Sequence, residues 1–498
     1  MARYLPSSTP GWLRDADRRS PWDSLHAVVG GLGVSGFSVA TGLLDLGARV
    51  DVVVDAEPHG QPAERAGVLE VLGAVVRSGP RATADLPGDT GLVVVSPGFR
   101  PSSPLVRTAT GRGIAVFTDV DLARRLGDPE RPQTWLGLTG TNGKTTTTGM
   151  LTAILRAAGR DARAVGNIGV PIVDAVLDPD PASTLVVELS AQQLHYSPGL
   201  HLQAAAVLNL APDHLDFHGD LTTYAADKAR IYDGCEVACV YNVDDPATEQ
   251  MVLDAEAVEG ARAIGVTLGI PAVSMLGVVD GVLADRAFVP DRRNVAAELV
   301  GVDELPSPAA HVVANALAAA ALARAHGVSP AAVRSGLSSF RLDPHRIELV
   351  AQAGGLTWVD DSKATNPHAA QASLTAYEPV VWIAGGQVKG LEFDDLVRTV
   401  AGRLRGVVLL GRDRAVLAAA LARHAPQVPV IDMPGREDGA MAEVVAAAAR
   451  LARPGDTVLL APGCASFDMF TGYAARGDAF AAAVRRLTGT RDGRASTP

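Results

Sequence analysis

Residues 135–148 read Trp-Leu-Gly-Leu-Thr-Gly-Thr-Asn-Gly-Lys-Thr-Thr-Thr-Thr, and this stretch decides the fold. A short apolar run stops at a glycine-rich turn, and a helix-like segment from Gly149 to Ala158 follows it. A strand, a loop and a helix in this order surround an anion with backbone N–H groups and a helix N-terminus. Lys144 would reach the outer phosphates of a nucleotide, and the hydroxyl of Thr145 would bind Mg²⁺.

This loop differs from the usual phosphate-loop pattern, which would place a glycine where Leu138 stands. The first glycine of the loop is Gly140, so the loop is a shortened variant. The alternative interpretation is a turn rich in glycine and threonine that carries an exposed lysine. Because the strand, the glycines, the lysine and the paired threonines all agree, the sequence predicts a site for ATP and Mg²⁺.

Composition limits the classes of protein that the chain can belong to. Its 498 residues are typical of about three domains, and 47% hydrophobic with 20% charged residues fits a globular protein. A net charge of −11 argues against nucleic-acid binding, and three cysteines form neither a disulfide framework nor a zinc pattern. No run approaches the ~20 apolar residues that span a bilayer, and the start lacks a signal-peptide core, so we expect a cytoplasmic protein without membrane insertion.

The N-terminal part carries a second glycine-rich loop. Gly31, Gly33 and Gly36 follow a short apolar strand and satisfy the G-x-G-x-x-G pattern of dinucleotide-binding folds. Asp55 ends the next strand, where a ribose-binding acid would stand, and Gly98 lies in a loop after a later strand. The pattern predicts a Rossmann-like domain, and an NAD-dependent dehydrogenase is the competing hypothesis for its nucleotide.

Two polar, proline-containing stretches divide the chain into three α/β domains. One covers residues 127–133 and the other begins at Leu342. We expect a Rossmann-like domain over residues 1–130, a central phosphate-loop ATPase domain with a parallel sheet over 131–341, and a Rossmann-like α/β domain over 342–498.

Three polar positions in the central domain are candidates for chemistry. Glu188 ends an apolar strand, where its carboxylate would be a Mg²⁺ ligand beside the phosphate loop. His214 belongs to a loop that packs two histidines and two aspartates into six residues, a composition suited to metal binding or to a plain polar loop. Lys228, by contrast, looks like an ordinary surface lysine on a helix.

Polar residues also follow three strands of the C-terminal domain. Residues 360–367, 385–390 and 461–468 lie at strand ends, which form the ligand edge of an open α/β sheet. Lys389 and Ser466 there indicate an anionic substrate, with a carboxylate as the expected group. ATP chemistry on a carboxylate followed by attack of an amine would use all three domains, whereas a dehydrogenase would have no use for the phosphate loop.

The chain resembles the Mur ligase family from about Leu25 to Leu487. The motifs that carry the resemblance are Thr139–Thr146, Gly166–Gly169, Glu188–Ser190, Asp213–Asp216, Tyr224–Tyr232, His345–Arg346 and Asp361–Asn366. The last of these fits the D-glutamate-adding branch of the family. The resemblance implies that the first glycine loop binds a UDP-sugar and not NAD.

The resemblance also implies a role for each matched residue. The catalytic set is Lys144, Glu188, His214, Lys228 and Arg346. ATP would be held by Gly140, Thr141, Asn142, Gly143, Lys144, Thr145, Thr146, Asn315, Arg346 and Asp361. Two Mg²⁺ ions would be held by Thr145, Glu188, His214 and Lys228, the last after carbamylation. The UDP-substrate would contact Val34, Ser35, Asp55, Gly98 and Asn167, and D-glutamate would contact Lys363, Thr365, Lys389, Ser466 and Tyr473.

The expected reaction joins D-glutamate to UDP-MurNAc-L-Ala through an acyl phosphate, at the cost of one ATP. A monomer in the cytoplasm is expected. The alternatives are a sibling Mur ligase, a ligase similar to folylpolyglutamate synthetase, and a nucleotide-binding protein without catalytic activity.

Overall fold

The computed structural model describes residue 6 and residues 9–197, 199–435 and 440–489. The chain forms two compact units. The first comprises the residues up to Phe340, except for two short segments (211–213 and 309–311) that belong to the second with the residues from Arg341 onward. Among the described residues, no helix combines the length and the apolar character needed to cross a bilayer.

The N-terminal sheet has five parallel strands in the order β3-β2-β1-β4-β5. The strands are β1 (His26–Gly30), β2 (Arg49–Val54), β3 (Val75–Ser78), β4 (Leu92–Val95) and β5 (Ala115–Phe117). The helices are α1 (Val34–Asp45), α2 (Gln61–Val71), α3 (Pro104–Gly111) and α4 (Asp119–Arg125). The strand order reverses between β1 and β4, so the loops that follow these two strands diverge and leave a crevice in which ligands bind.

The central sheet has nine strands in the order β14-β13-β12-β11-β10-β9-β6-β8-β7. The strands are β6 (Thr134–Thr139), β7 (Ala162–Gly166), β8 (Thr184–Glu188), β9 (Ala204–Val207), β10 (Ala238–Asn242), β11 (Arg262–Val266), β12 (Met275–Val279), β13 (Val282–Asp285) and β14 (Ala297–Gly301). The helices are α5 (Lys144–Ala157), α6 (Ile172–Leu177), α7 (Ala191–Tyr196), α8 (Leu215–His218), α9 (Leu221–Ala229), α10 (Pro246–Leu253), α11 (Ala310–Ala325) and α12 (Pro330–Ser339). Because β6 lies between β8 and β9, the phosphate loop is flanked by the ends of those two strands.

The C-terminal sheet has six strands in the order β15-β16-β20-β17-β18-β19. The strands are β15 (Glu348–Ala353), β16 (Leu356–Asp360), β17 (Val380–Gly385), β18 (Leu404–Leu410), β19 (Val430–Asp432) and β20 (Thr457–Leu460). The helices are α13 (Pro367–Leu374), α14 (Asp394–Val400), α15 (Arg414–His424), α16 (Ala440–Leu451) and α17 (Tyr473–Thr488). All its pairs are parallel except β15 with β16.

One hydrophobic core joins the first two sheets. It runs from Val29 and Val52 in the N-terminal sheet to Leu185 and Val187 in the central sheet. Helices α1 and α4 both pack on α6, and Gly42 makes room for this contact because a Cβ there would lie 2.8 Å from atoms of two α6 side chains. Shared apolar burial therefore holds the N-terminal and central domains in one unit.

The predicted α/β fold with three domains is confirmed, and the parallel core of each sheet agrees with the prediction. The structure adds strands that the sequence analysis did not identify. Strands β13 and β14 extend the central sheet in antiparallel fashion, and the hairpin partner β15 does the same for the C-terminal sheet. The domain boundaries at residues 130 and 341 stay predictions.

Candidate active site

The loop between β6 and α5 is held closed by its own lysine. Nζ of Lys144 donates to the carbonyl oxygens of Gly140, at 2.8 Å, and Thr141, at 3.0 Å. Gly143 has a φ of 83°, and a Cβ there would lie 2.3 Å from Oδ1 of Asn315, so only glycine fits this turn. The loop therefore brings together Lys144 and Asn315, which the sequence places 171 residues apart.

Asn209, which follows β9, pairs with the peptide groups of the same loop. Its Oδ1 accepts from the backbone N of Asn142 at 2.9 Å, and its Nδ2 donates to the carbonyl oxygen of Asn142 at 3.1 Å. The backbone N of Thr141 adds a third bond to the carbonyl oxygen of Asn209. This two-way pairing holds the backbone of the loop in place, and the sequence analysis assigned no role to Asn209.

Replacing Asn209 by Leu should weaken ATP binding about tenfold, because two hydrogen bonds worth about 0.5–1.5 kcal/mol each would be lost from the loop. Equilibrium titration with a fluorescent ATP analogue measures the change in Kd. Asn242→Leu is the matched control, since its amide donates to the carbonyl oxygen of Leu208 and not to the loop. An unchanged Kd in Asn209→Leu would contradict the positioning role.

Glu188 has the environment of a metal ligand. Its side chain is buried at the end of β8, and its Oε1 accepts from Nδ2 of Asn167 at 3.0 Å. Its Oε2 is buried without a hydrogen-bond partner, which for a carboxylate oxygen is costly unless a cation or proton occupies the site. A divalent cation with oxygen ligands fits this orphaned oxygen. Asn167, predicted on the UDP-substrate side, thus lies against Glu188.

His214 and Lys228 lie in the α8–α9 region of the central domain. His214 adopts a left-handed backbone, with a φ of 51°, directly before α8. Lys228 is 1% exposed, and its Nζ lies 4.4 Å from the ring centroid of Tyr224. The hydroxyl of Tyr224 lies 3.2 Å from Oγ1 of Thr141 in the phosphate loop. The interpretation of Lys228 as an ordinary surface lysine is therefore wrong, because its side chain is buried beside the loop.

Asp227 organises the residues around Lys228. Its Oδ2 lies 2.9 Å from Nδ1 of His195 and 2.7 Å from Nδ1 of His218. Burial of Asp227 opposes its ionisation, but the hydrogen bonds from His195 and His218 outweigh burial and hold its pKa at about 2. A carboxylate ionised at neutral pH therefore anchors α9, on which Lys228 stands.

The first glycine loop has the shape of a ligand-binding turn. Gly31 has a φ of 102°, and a Cβ at Gly36 would lie 2.2 Å from the carbonyl oxygen of Gly31. At Gly33 a Cβ would meet no atom within 4 Å, so the backbone there is open to a ligand. The pattern of three glycines thus serves a tight turn, a close helix approach and an exposed backbone, as in dinucleotide folds.

The other predicted UDP-substrate residues lie at the same sheet edge. Val34 and Ser35 begin α1, Asp55 follows β2 and Gly98 follows β4, and β1 pairs with both of these strands. Oδ1 of Asp55 accepts from Oγ1 of Thr83 at 2.8 Å, which orients an exposed carboxylate. Val34 is 56% exposed.

Three loops meet at one edge of the C-terminal sheet, because β16 and β17 each pair with β20 between them. The loop after β16 carries Lys363 and Thr365, the loop after β17 carries Lys389, and the loop after β20 carries Ser466. Nζ of Lys363 lies 4.0 Å from the ring centroid of Tyr473. A bridge between Gln387 and Ala465 joins the second loop to the third. All five residues predicted to bind D-glutamate therefore belong to one edge and the start of α17.

Asp361 and Arg346 lie together in the C-terminal unit. Oδ1 of Asp361 accepts from the backbone N of Ile347, the residue after Arg346, at 3.3 Å. The two neighbours of Arg346, His345 and Ile347, both have a positive φ, so this turn is strained. Burial raises the pKa of Asp361 to about 6, although a hydrogen bond from Ser373 favours the charged form.

Arg476 connects two of the C-terminal loops and was missed by the sequence analysis. It is 1% exposed, and burial lowers its pKa to about 10. Its Nε and Nη2 donate to Oγ and the carbonyl oxygen of Ser362 at 2.9 and 2.8 Å, and its Nη1 donates to the carbonyl oxygen of Cys464 at 3.0 Å. Lys363 follows one of these acceptors and Ser466 lies two residues beyond the other, so Arg476 sets the spacing of the candidate glutamate residues.

Replacing Arg476 by Met should destabilise the C-terminal unit by about 3 kcal/mol, because the acceptors of three charged hydrogen bonds would be left buried and unpaired. The same change should raise the KM for D-glutamate at least tenfold, since the loops of Lys363 and Ser466 would lose their common anchor. Thermal melting and initial rates measure the two effects. Arg486→Met, an exposed arginine on the same helix, is the control, and equal KM values in both variants would contradict the role.

Lysine is rare in this chain, and its placement is informative. Among 44 basic residues only Lys144, Lys228, Lys363 and Lys389 are lysines, and every other basic position is arginine. Three of the four stand in loops that the sequence analysis had already selected. Because arginine cannot replace a compact, deprotonatable amine, the fourth lysine could have been recognised as functional by this rarity alone.

Comparison with known proteins agrees with this geometry. Residues 138–323 match the Mur ligase middle domain, and residues 345–464 match the glutamate ligase domain of Mur ligases. A protein of Streptomyces coelicolor named UDP-N-acetylmuramoylalanine–D-glutamate ligase is 57% identical over 94% of this chain and 99% of its own length. The chain belongs to the Mur ligase family. It is therefore an ATP-dependent ligase that forms amide bonds and uses ATP with Mg²⁺.

Another relative and two solved structures extend the comparison. A protein of Mycolicibacterium smegmatis with the same name is 46% identical, over 93% of this chain and 97% of its own length. A solved structure of UDP-N-acetylmuramate-alanine ligase from Thermotoga maritima shares the fold, with a TM-score of 0.52 and 18% identity over 94% of this chain and all of the other. A pseudomurein peptide ligase from Methanothermus fervidus has a TM-score of 0.55 at 16% identity, over 93% and 100% of the two chains.

Proposed function

We propose that this Mur ligase joins D-glutamate to UDP-MurNAc-L-Ala during the synthesis of peptidoglycan precursors. The observation that carries the proposal is the 57% identity to the Streptomyces coelicolor D-glutamate ligase along almost the whole of both chains. The cluster of Lys363, Lys389 and Ser466 at one sheet edge supports it, because two cations and a hydroxyl suit an amino acid with two carboxylates.

The proposed reaction has two chemical steps. The L-alanine carboxylate attacks the γ-phosphate of ATP, which releases ADP and leaves an acyl phosphate. The amine of D-glutamate then attacks the acyl carbon, loses a proton and expels phosphate. Phosphoryl transfer of this kind needs positioning and charge stabilisation more than it needs a covalent intermediate on the protein.

The phosphate loop supplies most of that charge stabilisation in this proposal. Lys144 and the loop amides from Gly140 to Thr146 hold the outer phosphates, and Asn315 packs under the turn at Gly143. By family resemblance Arg346 and Asp361 also bind the nucleotide. Asn209 keeps the loop amides oriented throughout.

Two metal ions are proposed, held by Thr145, Glu188, His214 and a carbamylated Lys228. The orphaned Oε2 of Glu188 and the burial of Lys228 support this set, since a carbamate would replace a buried cation by an oxygen ligand. Mg²⁺ bound there would neutralise phosphate charge during transfer. Val34, Ser35, Asp55, Gly98 and Asn167 are proposed to hold the UDP-substrate, with Thr365 and Tyr473 completing the glutamate site. The three domains are proposed to span residues 1–130, 131–341 and 342–498.

The decisive test compares amino acids as acceptors. Purified protein with ATP, Mg²⁺ and UDP-MurNAc-L-Ala should release ADP and give the expected product mass with D-glutamate only. Parallel reactions with L-glutamate and diaminopimelate, and with UDP-MurNAc plus L-alanine, distinguish the sibling ligases. ADP release with one of these and not with D-glutamate would overturn the assignment. A cytoplasmic monomer belongs to the same proposal, and sedimentation velocity tests the monomer.

A further inference from the structure

A buried carboxylate stands between the two candidate sites of the first unit. Asp119, the first residue of α4, is 3% exposed and belongs to the N-terminal domain. Its Oδ1 accepts from Nε2 of Gln193 at 3.0 Å and from the backbone N of Val120 at 3.1 Å. The hydroxyl of Ser35 lies close to the same carboxylate and favours its charged form. Ser35 is the second residue of α1, directly after the first glycine loop.

Gln193, the partner of Asp119, is hydrogen-bonded to the turn that carries the candidate metal ligand Glu188. Gln193 is 1% exposed, and its Oε1 accepts from the backbone N of Ser190 at 3.0 Å while Oγ of Ser190 caps the backbone N of Gln193 at 3.2 Å. Ser190 lies two residues after Glu188. The intervening residue, Leu189, is bonded through its backbone N and O to β6, the strand that leads into the phosphate loop. The turn after β8 is thus hydrogen-bonded to α7 on one side and to β6 on the other.

These contacts form a continuous path. It begins at Ser35, which lies close to the Asp119 carboxylate, and continues by hydrogen bonds through Gln193 to Ser190, and so from the UDP-side loop to the turn of Glu188. In this path, the side-chain oxygen of Gln193 accepts from Ser190, and its side-chain amide donates to Asp119. We propose that Asp119 and Gln193 are positioning residues that hold the first glycine loop at a fixed distance from the Glu188 turn.

The physical need for such a bridge follows from the proposed function, on which this inference rests. The UDP-substrate would be bound at one end, and its carboxylate must meet the γ-phosphate near Glu188 at the other. A misplacement of about 1 Å in such a pair costs up to about a hundredfold in rate. The shared core holds the two domains together by non-directional packing, whereas a buried pair of hydrogen bonds also fixes their register.

A neighbouring carboxylate offers a matched control. Asp121 lies two residues further along α4, is also buried, and contacts the same helix α7 from its other end, where Ser197 and Thr118 donate to it. It touches neither Ser35 nor Ser190 in the described hydrogen bonds. Loss of Asp121 should therefore weaken the domain contact without disturbing the path between the two sites.

The test uses the full chain in four forms. Gln193→Glu keeps the acceptor for Ser190 but turns the donor facing Asp119 into a carboxylate oxygen, and Asp119→Asn removes the charge. The double variant exchanges donor and acceptor across the bridge. Asp121→Asn is the control. For each protein, kcat, the KM values for UDP-MurNAc-L-Ala and ATP, and the melting temperature are measured beside the wild type.

We expect kcat to fall at least tenfold in both single variants, with each KM within threefold of the wild-type value because neither residue belongs to a predicted substrate-binding set. The double variant should recover part of the loss in kcat, and Asp121→Asn should lower the melting temperature with kcat within twofold. Additive losses in the double variant, or an equal loss of kcat in Asp121→Asn, would overturn the inference. An inactive wild type would instead refute the proposed function, so the two failures are distinguishable.

Discussion

Lys144→Ala should lower the rate of ADP release at least about a thousandfold. The lysine carries the charge nearest to the expected phosphates, and removal of one preorganised electrostatic group from a phosphoryl-transfer site costs about two to five powers of ten. The loop would also lose the two bonds from Nζ to Gly140 and Thr141, so its backbone amides would no longer be held for an anion.

The measurement is a coupled assay of ADP release with saturating UDP-MurNAc-L-Ala and D-glutamate. Arg156→Ala is the matched control, since it removes a cation from the other end of α5 and should leave kcat unchanged. Lys144→Arg should remain poor, because a planar guanidinium cannot occupy the place of a compact ammonium between two carbonyl oxygens. Activity of Lys144→Ala within tenfold of the wild type would mean that this lysine does not stabilise the transferred phosphate, and would leave the loop without the proposed catalytic role.

Glu188→Gln should reduce kcat by about two to three powers of ten and raise the Mg²⁺ concentration needed for half-maximal activity at least tenfold. The substitution preserves the shape of the side chain and its contact with Asn167. It removes the charge that would hold a cation at the buried Oε2. The expected loss of activity therefore comes from weaker Mg²⁺ binding and not from a change in packing.

A titration of activity with Mg²⁺, repeated with Mn²⁺, separates these contributions. Partial recovery by Mn²⁺, which binds nitrogen and oxygen ligands more tightly, is expected. Glu249→Gln, on the exposed part of α10, is the control. If Glu188→Gln melted well above the wild type and kept its Mg²⁺ dependence, the carboxylate would be a strained structural group and not a ligand.

The glycine-rich loops could be predicted from the sequence, because their backbone conformations accept glycine and few other residues. Gly143 must be glycine for the left-handed turn, and Gly31 and Gly36 must be glycine for the first loop, so the sequence carries this geometry directly. The Gly loops after β1 and β6 and the polar ends of β16, β17 and β20 followed from the same local reasoning. The antiparallel strands β13 and β14 at one end of the central sheet did not, because short strands lack a distinctive pattern.

The residues that the sequence analysis missed act through partners distant in sequence. Arg476 reaches Ser362 across 114 positions, and Asp119 reaches Gln193 across 74. Neither stands in a motif, since one is an arginine in an amphipathic helix and the other an acid at a helix start. Their roles arise from burial and hydrogen bonding in three dimensions, which local periodicity does not record. Reasoning from the residues alone missed Lys228 for a similar reason, since nothing in its helix indicates burial, and only the family resemblance assigned it a role.

The scarcity of lysine gives this protein an unusual chemical signature. A reagent specific for primary amines can modify only the α-amino group and four side chains. Lys144 lies at the phosphate loop, Lys363 and Lys389 lie at the ligand edge of the C-terminal sheet, and Lys228 is almost fully buried. Amine footprinting followed by mass spectrometry would thus report on nucleotide and amino-acid occupancy in one spectrum, with no background from the rest of the surface. The forty arginines do not react with such a reagent. Protection of Lys144 would therefore indicate bound nucleotide, and protection of Lys363 or Lys389 would indicate bound amino acid.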